Sequence, residues 1–214
     1  MPVFRLSNDS NKFPIPELAR DDGLLAVGGD LNPERLLNAY SNGIFPWYNP
    51  DEMIKWWCPK DRFVIFPDKI HISNSMKKLL NKTALEVKIN TDFDCIMRNC
   101  RMARENLTWI TDEMERAYNK LFALGYALSV GIYENSDLVG GLYGVVIGKC
   151  FFGESMFSTI DNASKLALIK LSEKLAKDNF VFIDCQFHTD HLESMGGQYI
   201  SWAEYKQLLN NCRD

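Results

Sequence analysis

The sequence predicts an α+β protein, with a small N-terminal domain of loops and short helices over residues 1–61 and a larger mixed-sheet domain over 62–214. Three observations carry this. The first sixty residues are rich in Pro, Gly and aromatic residues and poor in periodicity. From Arg62 onward, apolar residues recur at helical or strand spacing. Their order there includes two helices, a meander of three strands, a helix and a further strand, which places helices against a largely antiparallel sheet.

Taken in order, Phe13-Pro14-Ile15-Pro16 opens the first region, and Gly23 to Asp30 reads as a short strand or turn. Asn32-Pro33-Glu34 starts a helix, with Asn32 as N-cap and Pro33 at the first helical position. Asn42-Gly43 ends it after Ser41. The aromatic stretches Ile44 to Pro50 and Trp56-Trp57-Cys58-Pro59 read as loops, with one of the paired tryptophans packing between the domains. Phe63-Val64-Ile65 reads as a strand, and Ser75 to Asn81 as a helix bearing Lys77, Lys78 and Lys82. Leu85 to Ile89 alternates as a half-buried strand does. Phe93 to Arg104 is helical with Asp92 as its cap, and Thr111 to Leu124 is a helix stopped by Gly125. Ala127–Tyr133, Asp137–Val146 and Lys149–Ser158 form the meander. A helix over 162–178, a strand over 180–186 and a helix over 201–211 follow.

Bulk properties narrow the function. The chain has 214 residues and a net charge of −4, so an RNA partner requires basic residues gathered on one face. Six cysteines without a Cys-x-x-Cys pair predict reduced thiols, a cytoplasmic setting and no disulfide framework. The N-terminus lacks the pattern of a signal peptide. No apolar run reaches the ~18 residues a membrane span needs.

The chemistry concentrates in two segments. Phe151-Phe152-Gly153-Glu154-Ser155-Met156-Phe157-Ser158 places a carboxylate in an apolar run, which is costly to bury unless it is paired. Ile183-Asp184-Cys185-Gln186 places two polar side chains two apart on a strand, hence on one face. The strand–helix–strand order brings Glu154, Asp184 and Gln186 into one sheet. No phosphate-cradling or dinucleotide-binding glycine motif is present, so no cofactor is expected. His188, Asp190 and His191 fit no common zinc spacing, and no metal is expected.

Several segments together resemble the leucyl/phenylalanyl-tRNA–protein transferase family. They are Asp22 to Leu31, Gly43-Ile44-Phe45-Pro46-Trp47-Tyr48, Trp56-Trp57 and Thr108-Trp109-Ile110. Leu138 to Gly144, Gly153 to Ser158, Asn162-Ala163-Ser164-Lys165 and Asp184-Cys185-Gln186 complete the set. The resemblance runs from Phe13 to about Gly197. It departs at Leu128-Ser129-Val130-Gly131, where the family has His-Ser-Val-Glu. It departs again at Cys58 of Trp56-Trp57-Cys58-Pro59 and at Ser194-Met195-Gly196-Gly197.

The resemblance implies an acetyltransferase-like (GNAT-like) larger domain. It also implies transfer of Leu or Phe, with Met as a further donor, from aminoacyl-tRNA to the N-terminal Arg or Lys of a protein. That marks the acceptor for degradation under the N-end rule. The partners expected are aminoacyl-tRNA and such acceptor proteins, with no membrane, for a monomeric enzyme. Asp184 would polarise Gln186, whose amide meets the attacking amine, while Glu154 holds the cationic acceptor or pairs structurally with Lys165. Leu142, Phe151, Met156 and Ile183 either line an aminoacyl side-chain pocket or are plain core. Trp47 and Trp109 are placed to stack on the 3′-terminal adenosine. Arg62, Lys77, Lys78 and Lys82 are expected on tRNA phosphates, the alternative for the lysines being a solvated helix face. Two rivals remain: an acyl-CoA-dependent N-acyltransferase on the same fold, and a non-catalytic tRNA-end-binding adaptor. A glycine-free link from Ser158 to Asn162 speaks against the first, and polar residues gathered in apolar strands speak against the second.

Overall fold

Short strands organise the first sixty residues, one where Gly23 to Asp30 read as a strand or turn and the others where loops were expected. The computed structural model describes residues 3–82, 84–104 and 108–212, without the side chains of residues 81 and 82. Strands β1 (Phe4–Leu6), β2 (Leu24–Gly28), β3 (Phe45–Pro46) and β4 (Lys55–Trp57) form a sheet in the order β1-β2-β4-β3. These strands have two to five residues, too few for an alternating pattern to stand out, and β1 pairs with β2 across a long loop. Helix α1 (Pro33–Ser41) begins as anticipated, with the Asn32 side chain accepting the Arg35 main-chain N–H at 2.8 Å.

The larger sheet contains β5 (Arg62–Ile65), β6 (Glu86–Ile89), β7 (Ala127–Glu134), β8 (Asp137–Ile147), β9 (Cys150–Ser158), β10 (Phe182–Asp184) and β11 (Gln198–Ile200). Their order is β11-β5-β10-β9-β8-β7-β6. Among the described strands of this sheet only β9 and β10 pair in parallel, and α5 (Ala163–Lys177) supplies the crossover that a parallel pair needs. Helices α2 (Asn74–Lys82), α3 (Phe93–Met102), α4 (Asp112–Ala123), α6 (Asp190–Ser194) and α7 (Trp202–Asn211) complete the fold.

Alternation along the strands divides the core. Phe151 and Leu142 face a cluster with Leu166 and Leu168 of α5, whereas Phe152 and Tyr143 face a cluster with Phe93 of α3 and Tyr118 of α4. The second cluster continues into Tyr40 and Trp56, so the small sheet shares its core with the large one. Trp56 is fully buried, and its Nε1–H donates to the Gly28 carbonyl at 2.8 Å.

Two sequence expectations fail here. Asp92 does not cap α3; it sits at φ +56°, and its carboxylate accepts the Tyr133 hydroxyl at 2.8 Å. Cys150 and Cys212 form a disulfide, with Cα atoms 5.7 Å apart. They lie 62 residues apart in sequence, and only the docking of α7 beside the start of β9 brings them together. Cys58, Cys95, Cys100 and Cys185 are free. Among the described residues, no helix is long and apolar enough to cross a membrane.

Candidate active site

The site is built by a fork in the large sheet. β10 stops at Asp184, opposite Phe152, while β9 continues to Ser158. Beyond the fork the two chains enclose a cavity of about 680 Å³, lined from Gly153 to Ser158 on one side and from Cys185 to Phe187 on the other. Pockets of this size suit a drug-sized ligand. Across β9, the pairing with β8 shifts between Tyr143–Ser155 and Gly144–Gly153, leaving Glu154 as the extra residue of a β-bulge. A bulge re-aims its side chain, and this one brings Glu154 to the cavity wall.

Glu154 meets two phenols. Tyr40 of α1 donates to Oε1 at 2.7 Å, and Tyr118 of α4 donates to Oε2 at 3.0 Å. The two phenol oxygens are themselves 2.5 Å apart. Burial pushes the carboxyl up to about 7, the phenols pull the other way, and the Asp184 charge adds to the rise. Among the ion pairs of the described residues, none involves Glu154, so the structural bridge to Lys165 does not form. Lys165 acts instead on His191, whose pKa falls mainly through burial and further through that charge.

Asp184 and Gln186 do not share a face. Asp184 is fully buried, its carboxylate held by the Arg62 guanidinium and by the Tyr205 hydroxyl of α7 at 2.7 Å. Its Oδ1 accepts the main-chain N–H of Gln186 at 2.9 Å. Gln186 adopts φ +58°, so the chain leaves the strand there and the residue joins the cavity lining. Strand alternation does not reach Gln186, because β10 ends at Asp184, two residues short of it.

Arg62 is likewise not a phosphate ligand. It is fully buried, donates to the Gly43 carbonyl at 3.0 Å, and lies over the Phe45 and Tyr205 rings. Burial opposes its charge, but Asp184 outweighs that and holds the guanidinium above its ordinary pKa. Lys77 and Lys78 are exposed on α2 and do not line the cavity. The Lys82 side chain lies outside the described residues.

The four apolar residues anticipated for a pocket, Leu142, Phe151, Met156 and Ile183, all line the cavity. Trp47 and Trp109 line it as well. Trp47 is 43% exposed and packs against Trp57 and Phe187, with ring centroids 5.8 and 5.5 Å away. Trp57 fixes that segment by donating from Nε1 to the Trp47 carbonyl at 2.6 Å. Trp109 lies under the Arg104 guanidinium, which also donates to the Ser155 hydroxyl at 3.2 Å. Near the surface, His188 Nε2 meets a Glu193 oxygen at 3.0 Å with Asp190 close by, whereas His191 lies with the cavity lining.

Sequence reasoning missed Tyr40, Tyr118, Tyr205 and Arg104. The tyrosines carried a signal: Tyr40 and Tyr118 fall on the buried faces of α1 and α4, and a buried phenol usually takes a hydrogen-bond partner. Nothing in the local pattern named that partner.

The cavity wall is largely apolar and holds one carboxylate, Glu154, with the part-exposed rings of Trp47 and Phe187 among its lining. Sequence comparisons give the class of protein to which such a site belongs. The leucyl/phenylalanyl-tRNA protein transferase profile matches residues 64–210, and the profile of that family's N-terminal domain matches residues 29–60. A leucyl/phenylalanyl-tRNA–protein transferase of Syntrophus aciditrophicus (strain SB) is 52% identical over 92% of this chain and 84% of its own. Those of Desulfatibacillum aliphaticivorans and Pseudomonas putida (strain W619) are 50% and 48% identical, over 98% and 95% of this chain and 91% and 92% of theirs. The chain belongs to the leucyl/phenylalanyl-tRNA–protein transferase family.

Proposed function

We propose that the fork between β9 and β10 is where this enzyme transfers Leu or Phe from aminoacyl-tRNA to the α-amine of an N-terminal Arg or Lys. The observation that carries the reading is the meeting of Glu154, Gln186, Leu142, Phe151, Met156, Ile183, Trp47 and Trp109 in one cavity. The aminoacyl side chain occupies the apolar wall, and the terminal adenosine stacks at Trp47 and Trp109. The ester is already activated, so the protein contributes positioning and electrostatics. The amine forms the new C–N bond, the ester C–O bond breaks, and the ribose hydroxyl leaves with a proton from the amine. Gln186 orients the amine or the carbonyl, and Asp184 acts one step back by fixing the Gln186 main chain.

The antiparallel run β7-β8-β9, the α5 crossover and parallel β10 support a GNAT-like reading of the larger domain. A monomer in the cytoplasm suits a substrate as large as charged tRNA. The test compares donors against one Arg-starting acceptor peptide. Leucyl- and phenylalanyl-tRNA give product, whereas alanyl-tRNA and acetyl-coenzyme A do not. Product from acetyl-coenzyme A alone assigns the site to small acyl donors. Tight tRNA binding with no product from any donor assigns it to the adaptor class.

A further inference from the structure

Glu154, Tyr40 and Tyr118 make three oxygen–oxygen contacts, of 2.7, 3.0 and 2.5 Å. Each contact needs one proton between its oxygens. Two phenols supply two protons, so an ionised Glu154 leaves one contact without a donor. A protonated Glu154 supplies the third and closes the ring. The triad is therefore built to take up one proton at the cavity wall. The carboxylate is the extra residue of a bulge, bound to no lysine or arginine among the described residues, and it faces the cavity that Gln186 also lines.

We propose that Glu154, braced by Tyr40 and Tyr118, is the base that removes a proton from the acceptor's α-ammonium group before it attacks the ester. The inference rests on the transferase reading of this cavity and adds a step to it. An N-terminal amine is mostly protonated at neutral pH and is not a nucleophile in that form. The α-ammonium gives one proton to the Glu154 carboxylate, leaving a neutral amine and a neutral carboxylic acid. The amine then forms the C–N bond as the ester C–O bond breaks, and the ribose oxygen leaves carrying the amine's second proton. Glu154 returns its proton to solvent as product departs. Charge and atoms balance at each step.

Ionisable groups face Glu154 from four elements: Tyr40 of α1, Tyr118 of α4, Tyr143 of β8 and Asp184 of β10. The phenols remain neutral in this setting, because burial raises all three well above their ordinary range. Asp184 disfavours a second negative charge nearby. Glu154 titrates at about 7, close to an α-ammonium at roughly 8, so the transfer is nearly balanced. A carboxylate with an ordinary value would leave it strongly uphill.

The test uses two acceptor peptides, one starting with Arg and one whose α-amine is replaced by an aminooxy group, which is neutral at assay pH. Wild type and Glu154→Gln are compared on both at saturating charged tRNA. With a base at Glu154, the variant loses about 100-fold in kcat on the ammonium acceptor and at most about threefold on the aminooxy acceptor. Equal losses on both overturn the proposal and leave Glu154 as a counter-charge. Transfer to neither acceptor by the wild type overturns the transferase reading and the base with it. Tyr118→Phe supplies an independent readout, since removing that donor moves the acid limb of kcat to higher pH. An unmoved limb contradicts the proposal.

Discussion

Asp184 holds Gln186 through the main chain, its Oδ1 accepting the Gln186 N–H at 2.9 Å while Arg62 and Tyr205 occupy its other oxygen. The carboxylate thus sets the left-handed turn that carries Gln186 into the cavity. In the function proposed above, it acts as a structural pin behind the chemistry.

Asp184→Asn therefore strands the buried Arg62 charge and destabilises the protein by about 3–5 kcal/mol in urea unfolding. Replacing both partners, Arg62→Met with Asp184→Leu, recovers most of that stability, because an apolar pair needs no desolvation of charge. Transfer does not recover, since Gln186 has lost its anchor. An active double variant would refute the pinning role.

Glu154 links stability to pH with a definite sign. Its folded-state pKa, about 7, lies above the ordinary 4.5, so the folded protein binds this proton more tightly than the unfolded chain. Its contribution is fully present below pH 4.5 and is lost as pH rises through about 7. Glu154→Gln imitates the neutral form at every pH. Relative to wild type, the variant gains stability between pH 5 and pH 8, by up to about 3 kcal/mol. A flat difference across that range means the group titrates normally.

Trp47→Ala weakens binding of a charged-tRNA 3′-end fragment by about 10- to 100-fold, the worth of one stacked base. The melting temperature changes little, because the ring is 43% exposed. The opposite pattern, lost stability with unchanged affinity, would return Trp47 to plain packing.

Met156→Phe narrows the apolar wall. Transfer of Phe falls about tenfold more than transfer of Leu, within the ~1–3 kcal/mol such pockets discriminate. Equal loss of both places the donor side chain elsewhere.

Charge reversal at Lys77 and Lys78 tests the exposed face of α2. If both meet phosphates, the salt slope of tRNA binding drops by roughly 1.5 to 2. Arg62→Lys leaves that slope unchanged and lowers stability, because the buried guanidinium meets no solvent.

The sequence was most legible where elements are long and self-contained. Helix α4 begins after Thr111, whose side chain accepts the Met114 N–H, and the β7–β9 meander follows its apolar runs. Phe151 and Ile183 were legible as paired apolar strand residues, whereas the pattern left open whether Leu142, Phe151, Met156 and Ile183 line a cavity or are plain core. The misses share a physical origin in contacts distant along the chain. Arg62 looked like a surface cation, yet it meets Asp184 122 residues away. Tyr40 meets Glu154 across 114 residues, and Cys150 meets Cys212 across 62. Strands as short as β1 and β3 exist only because neighbours pair with them.

The most direct test of the account is transfer of labelled leucine from charged tRNA to a protein starting with Arg, beside an otherwise identical protein starting with Met. The account predicts label on the Arg protein alone, its rate cut by about 100-fold when Glu154→Ala removes the carboxylate from the cavity. Label on both proteins, or undiminished label with Glu154→Ala, would contradict it.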